Sequence, residues 1–138
     1  MRIVDRKTFL SLPAGTVFSK FAKQPSVPDA YAIDHGYISI KHETVADVDF
    51  RYVELFPPFL QSAEGDDQDV DVQIAMLKGD ASPPLDYEVT TRDGLFDAAQ
   101  LFAVWDHDDH LRLIRTLREA FDAAHGDRHL AFVTPGPK

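Results

Sequence analysis

Two runs of alternating residues stand close together in the middle of the chain, and the short segment between them limits the fold more than composition does. Tyr37-Ile38-Ser39-Ile40-Lys41 puts Ile38 and Ile40 on one face and Tyr37, Ser39 and Lys41 on the other. Val48 to Phe56 puts Val48, Phe50 and Tyr52 on one face and Val53 and Leu55 on the other, until Pro57-Pro58 forbids continuation. Only residues 42–47 join the two runs, whereas a parallel crossover needs about a dozen residues. The pair is therefore expected to be antiparallel.

Other segments extend this pattern. Thr16–Phe21, Leu85–Thr91 and Leu101–Trp105 are rich in β-branched and aromatic residues and read as strands, the first ended by a loop containing Pro25 and Pro28. Asp5 caps a short helix over Arg6–Leu12, with Phe9 and Leu12 as its buried pair and Pro13-Ala14-Gly15 as its stop. Residues 66–78 fit both a strand (Val70, Val72, Ile74, Met76) and a helix face (Val70, Ile74, Leu77). Helix is preferred, because Asp66, Asp67 and Asp69 would lie near its positive N-terminal end and Gly79 would stop it. The last helix, capped by Asp106 or Asp108 and ended by Gly126, carries His110, Leu113, Ile114, Leu117, Phe121 and Ala124 on one stripe. The resulting expectation is an α+β fold: a mixed or antiparallel sheet of about five strands covered by two or three helices. Residues 1–138 would form one globular domain with a loose tail from about 127, where Pro135-Gly136-Pro137 stands.

With 138 residues, a chain of this kind removes roughly two-thirds of its unfolded surface from water and needs no staples. It has no cysteine, which excludes disulfides, thiolate nucleophiles and sulfur-ligated zinc. Its first residues lack the apolar run of a secretory signal, so a cytoplasmic location without membrane insertion is expected. The net charge is −9, and it is unevenly placed: seven acids face seven bases over residues 1–62, but sixteen face seven over residues 63–138. Direct nucleic-acid binding through a basic face is disfavoured, since phosphate neutralisation needs clustered Lys and Arg. An acidic face meeting a basic partner stays open.

The familiar catalytic motifs are absent. The seven glycines are too dispersed for a phosphate-binding loop, and no serine occupies a nucleophile elbow. Asp67, Asp69 and Asp71 imitate the start of a calcium loop, but Val72 stands where glycine is required and Lys78 where glutamate is required. Trp105-Asp106-His107-Asp108-Asp109-His110 is the densest group of metal-ligand types. It reads first as a helix cap, with a metal site at His107 and His110 as the alternative. No cofactor is expected.

The turn Arg92-Asp93-Gly94-Leu95-Phe96-Asp97 brings together a guanidinium, a carboxylate and an aromatic ring, which are groups that hold a small polar ligand. The competing reading sends Leu95 and Phe96 into the core. The candidate ligand-binding set is Lys20, Arg92, Asp93, Phe96, Trp105 and Arg112. Arg112, Arg115 and Arg118 also suit the solvated side of the last helix, with Glu119 and Asp122.

Two segments carry a resemblance: Phe9-Leu10-Ser11-Leu12-Pro13-Ala14-Gly15-Thr16, and Asp93-Gly94-Leu95-Phe96-Asp97 together with Gln100-Leu101-Phe102-Ala103-Val104-Trp105-Asp106. They resemble the ends of small uncharacterised proteins encoded by bacteriophages. The resemblance implies a non-catalytic binding protein in the host cytoplasm that inhibits a bacterial defence system. It would do so by covering a protein effector, as anti-CRISPR proteins do, or by sequestering a nucleotide signal, as phage sponge proteins do. A sponge would draw on Lys20, Arg51, Arg92 or Arg112 for phosphate and on Tyr52, Tyr87, Phe96 or Trp105 for base stacking. The alternatives are a small metal-dependent hydrolase built on the Asp106–His110 cluster and a virion structural or assembly protein, which would form a homo-oligomer.

Overall fold

The computed structural model describes residues 1–24, 26–27, 29–34, 37–55 and 66–126, apart from the side chains of 66–69. The Pro25 and Pro28 positions, the Pro57-Pro58 stop, the charges of Asp66, Asp67 and Asp69 and the tail from 127 lie outside what is described. Two compact units are formed, Met1–Trp105 and Asp106–Lys138.

Among the described residues the first unit is built on a seven-stranded antiparallel sheet, so the fold class is α+β as the alternation implies. Its strands are β1 (Arg2–Val4), β2 (Val17–Lys23), β3 (Tyr31–Ile33), β4 (Ser39–Val45), β5 (Asp49–Glu54), β6 (Thr91–Arg92) and β7 (Leu101–Val104). They run in the order β1-β7-β2-β4-β5-β6, with β3 also paired to β2. Strands β1 and β3 have three residues each, too few to show a period in the sequence. Of the strand expected over Leu85–Thr91, Leu85 forms an isolated bridge and Thr91 pairs as part of β6, with no ladder between them.

Helix α1 (Arg6–Ser11) crosses one face of the sheet. Six residues cannot hold a helix unaided in water, so capping and burial stabilise it. The Asp5 side chain accepts from Thr8 N at 2.8 Å, as the cap pattern implies. Phe9 is completely buried, stacked on Phe102 with ring centroids 4.0 Å apart and planes within 5°, tilted against Phe18 at 4.7 Å and edge-on to Phe50 at 4.8 Å. Burying such a ring contributes about 1.5–3 kcal/mol. Val4, Phe18, Phe50, Phe102 and Val104 complete the cluster. Leu12, expected as Phe9's buried partner, instead lies beyond the last helical residue, where its N–H bonds Phe9 O and its side chain is half-buried.

The other end of α1 depends on an irregularity in β4. The β4–β5 ladder slips between Lys41 and Thr44, and this brings two side chains of odd spacing together, Lys41 Nζ donating to Thr44 Oγ1 at 2.8 Å. Lys41 Nζ also donates to Leu12 O at 2.9 Å, and Thr44 Oγ1 donates to Leu10 O at 2.6 Å. Lys41, expected among the polar-face residues, is thus 1% exposed, and burial lowers its pKa.

Helix α2 (Asp66–Leu77) confirms the helical reading of 66–78. It ends as Gly79 suggests: at φ +77° the chain reverses, with Gly79 N bonding Met76 O and Asp80 N bonding Ala75 O. Its Val70, Ile74 and Leu77 are exposed. In the second unit, Asp106 caps α3 (His107–His125) by accepting from Asp109 N at 3.1 Å, and Gly126 closes it at φ +59°.

Candidate functional site

Buried charges organise one end of the β5–β6 region. Asp49 opens β5 and is fully buried; Asp93 follows β6, with a side chain only 2% exposed. Asp93 Oδ2 accepts from Arg6 Nη1 at 3.0 Å, and its Oδ1 accepts from Lys20 Nζ at 2.9 Å. Asp49 Oδ2 accepts from Arg92 Nε at 2.9 Å, while Oδ1 accepts from Gly94 N at 3.0 Å and lies 3.6 Å from Arg6 Nη2. That same Arg6 nitrogen donates to Val48 O at 3.0 Å. Burial opposes ionisation of Asp49, but the N–H groups of Gly94 and Phe50 and the Arg92 guanidinium outweigh it and hold the carboxyl below its usual range.

This network ties down two turns. The β4–β5 turn has Ala46 at φ +52° and Asp47 at φ +58°, and the loop after β6 has Phe96 at φ +52°. None of the three is glycine, and each pays a steric cost in the left-handed region that is greatest for a bulky side chain. Arg6 fixes Val48, the last residue of the first turn, and Asp49 fixes Gly94 in the loop leading to Phe96.

Between these turns and α1 lies an open groove of about 370 Å³. Arg6, Lys7 and Leu10 line it from the helix, Asp47 and Val48 from the turn, and Phe96 and Ala98 from the loop. Phe96 is 54% exposed, Leu95 beside it 65% and Val48 52%. The reading that buries Leu95 and Phe96 in the core is thereby corrected: Phe9, Phe18, Phe50 and Phe102 already fill that space, and the αL backbone leaves Phe96 at the rim. Val48 likewise lies in the turn before β5 and leaves the face it was expected to share with Phe50 and Tyr52.

A second cavity, about 40 Å³, is lined by Phe18, Lys20, Tyr37, Ser39, Phe50, Tyr52 and Glu54. It has room for water and not for a nucleotide, for which pockets of about 300 Å³ or more are usual. Tyr52 titrates above its ordinary value there, through burial first and then the charges of Glu54 and Asp93.

The residues singled out from the sequence are thus divided. Lys20, Arg92 and Asp93 belong to the buried ion network. Phe96 lines the groove, which neither Arg92 nor Trp105 does. Trp105 follows the C-terminal end of β7, its N–H donating to Val17 O at 2.9 Å. Arg112 is an exposed residue of α3, in the other unit. His107 Nδ1 lies 3.2 Å from Asp108 Oδ1, and no group of three or more His, Cys, Asp or Glu among the described residues is arranged to hold a metal ion.

Sequence reasoning missed Arg6, Asp49 and Lys41. One signal pointed to Arg6: bases at the start of a helix run against its dipole, and Arg6-Lys7 follow the cap directly.

Fold and groove together define an α+β architecture with an open groove at one end of an antiparallel sheet. No protein-family model, curated protein or solved structure matches the chain. No helix among the described residues is long and apolar enough to cross a membrane.

Proposed function

We propose that the chain is a non-catalytic binding protein that covers a protein partner with the rim formed by Val48, Leu95 and Phe96. In the setting that its bacteriophage resemblance implies, that partner is an effector of bacterial defence. The observation that carries the reading is Phe96, an aromatic side chain kept half in water by a backbone conformation that opposes it. Exposed aromatics beside apolar neighbours are the usual anchors of protein interfaces.

The groove favours a macromolecular partner over a sequestered nucleotide. Its Arg6 is engaged by Asp93 and Val48 O, which leaves Lys7 as its other cation, balanced by Asp47. Lys20 and Arg92, the cations first considered for phosphate, are not among the residues that line the groove.

The test is expression in bacteria carrying individual defence systems, scored by phage plating. Restored plating with the wild type and its loss with Phe96→Gly are expected. Plating restored equally by Phe96→Gly, or restored by neither, would overturn the reading. A rise in melting temperature with a nucleotide that Phe96→Gly abolishes would replace it by sequestration.

A further inference from the structure

We propose that Arg51 and Arg92 form a two-guanidinium clamp for a phosphate-type oxyanion, a site that does not depend on the function proposed for the Phe96 groove. The two residues stand directly opposite each other on β5 and β6, a register that brings Cβ atoms to about 5 Å. Like charges so placed destabilise a ladder. In a chain with 23 acids and 14 bases, the juxtaposition of two arginines runs against the overall balance.

Each guanidinium is braced by a carboxylate. Arg51 Nε lies 3.2 Å from Glu43 Oε1, and Arg92 places both Nε and Nη2 at 2.9 Å from Asp49 Oδ2. Arg92 Nη1 then has no hydrogen-bond partner among the described residues. The side chains are 39% and 45% exposed, so both can be reached from solvent. The ion pairs form two separate groups, Arg51 with Glu43, and Arg92, Arg6 and Lys20 with Asp49 and Asp93. The group that contains Arg92 sets three cations against two carboxylates, which leaves one positive charge over.

Planar guanidinium groups offer paired N–H donors that match the oxygen spacing of a phosphoryl group, and bracing by carboxylates fixes their planes before the ligand arrives. An anion between them would turn the like-charge contact into an attraction. Phosphate on a nucleotide and phosphate on a protein side chain share this chemistry.

Titration of the intact protein with inorganic phosphate at low ionic strength, read by NMR at the arginine Nε–H signals, tests the clamp. Saturable shifts of Arg51 and Arg92 are expected. Arg51→Gln should weaken binding by about tenfold or more, as loss of a charge-assisted pair implies. Glu43→Gln should strengthen it, because Glu43 competes with the anion for Arg51; a purely structural ion-pair ladder would not show that reversal of sign. Both substitutions leave Asp49 and its partners untouched, so the fold is preserved for the measurement. Phe96→Gly should leave binding unchanged, which separates this site from the groove. Parallel titrations with adenosine triphosphate and with a phosphoserine peptide identify the carrier by the tighter of the two. Absence of saturable shifts with all three probes, or equal affinity in Arg51→Gln and wild type, would overturn the proposal.

Discussion

Asp49 and Arg92 are joined through a single oxygen: Oδ2 of the fully buried carboxylate lies 2.9 Å from both Nε and Nη2 of the guanidinium. Removing Asp49 leaves the half-exposed Arg92 guanidinium to water and Arg6 still paired with Asp93, so the cost is that of the lost hydrogen bonds and of a Gly94 N–H without its acceptor, about 1–3 kcal/mol. Asp49→Ala is expected to destabilise the protein by about that amount in urea unfolding, through a lower midpoint at unchanged slope. A loss under about 1 kcal/mol would show that the network is not coupled to folding.

Acid should act through the same carboxylate. The folded pKa of Asp49 is lowered, so the stability it contributes is fully present above the unfolded value of about 4 and is lost as pH falls through the folded value. Unfolding free energy followed below about pH 4 should fall more steeply for the wild type than for Asp49→Asn.

Lys41 should give a slope of the opposite sense on the alkaline side. Burial lowers its pKa, so the unfolded chain binds more protons between the folded value and about 10.4, and stability rises with pH in that window. As pH rises towards about 10 the wild type should gain stability relative to Lys41→Met. Above about pH 10 the raised pKa of Tyr52 lowers the stability of both proteins alike, because the unfolded tyrosine releases its proton first, so the difference between them is the quantity to follow.

Phe96→Gly is expected to stabilise the protein while abolishing docking. A strained left-handed residue costs about 1–3 kcal/mol, part of which glycine recovers after its own entropy loss. A higher melting temperature with lost phage-plating activity is the expected pair of results.

Phe9→Ala should cost about 3–5 kcal/mol, because the ring occupies the centre of the aromatic cluster and anchors a six-residue helix. Circular dichroism and urea unfolding of the variant measure this directly.

Local signals carried the elements that could be read in advance. The Asp5 and Asp106 caps and the Gly79 and Gly126 stops depend on neighbours within a few residues, and each has its counterpart in the structure. The alternation of Ile38 to Lys41 marked a strand, but its faces are reversed, with Ser39 and Lys41 buried and Ile40 half-buried. The site was less legible because its determinants are distant in sequence. Asp49 and Gly94 meet across 45 positions, and Arg6 and Asp93 across 87. The turn residues marked Phe96 for attention, yet only the packing of Phe9, Phe18, Phe50 and Phe102 decides that no room remains for it inside. Lys41 gave no warning, since alternation placed it with Tyr37 and Ser39 and nothing local announces a ladder slip.

The slip between Lys41 and Thr44 bears on how such a chain can diverge. A deletion at His42 or Glu43 would restore a regular ladder and, in the same step, turn Thr44 away from the end of α1, leaving the Leu10 carbonyl without its donor. The spacing between these two residues is consequently under tighter constraint than the identities of the residues within it. An alignment of relatives should show this hairpin holding its length while positions 42 and 43 drift.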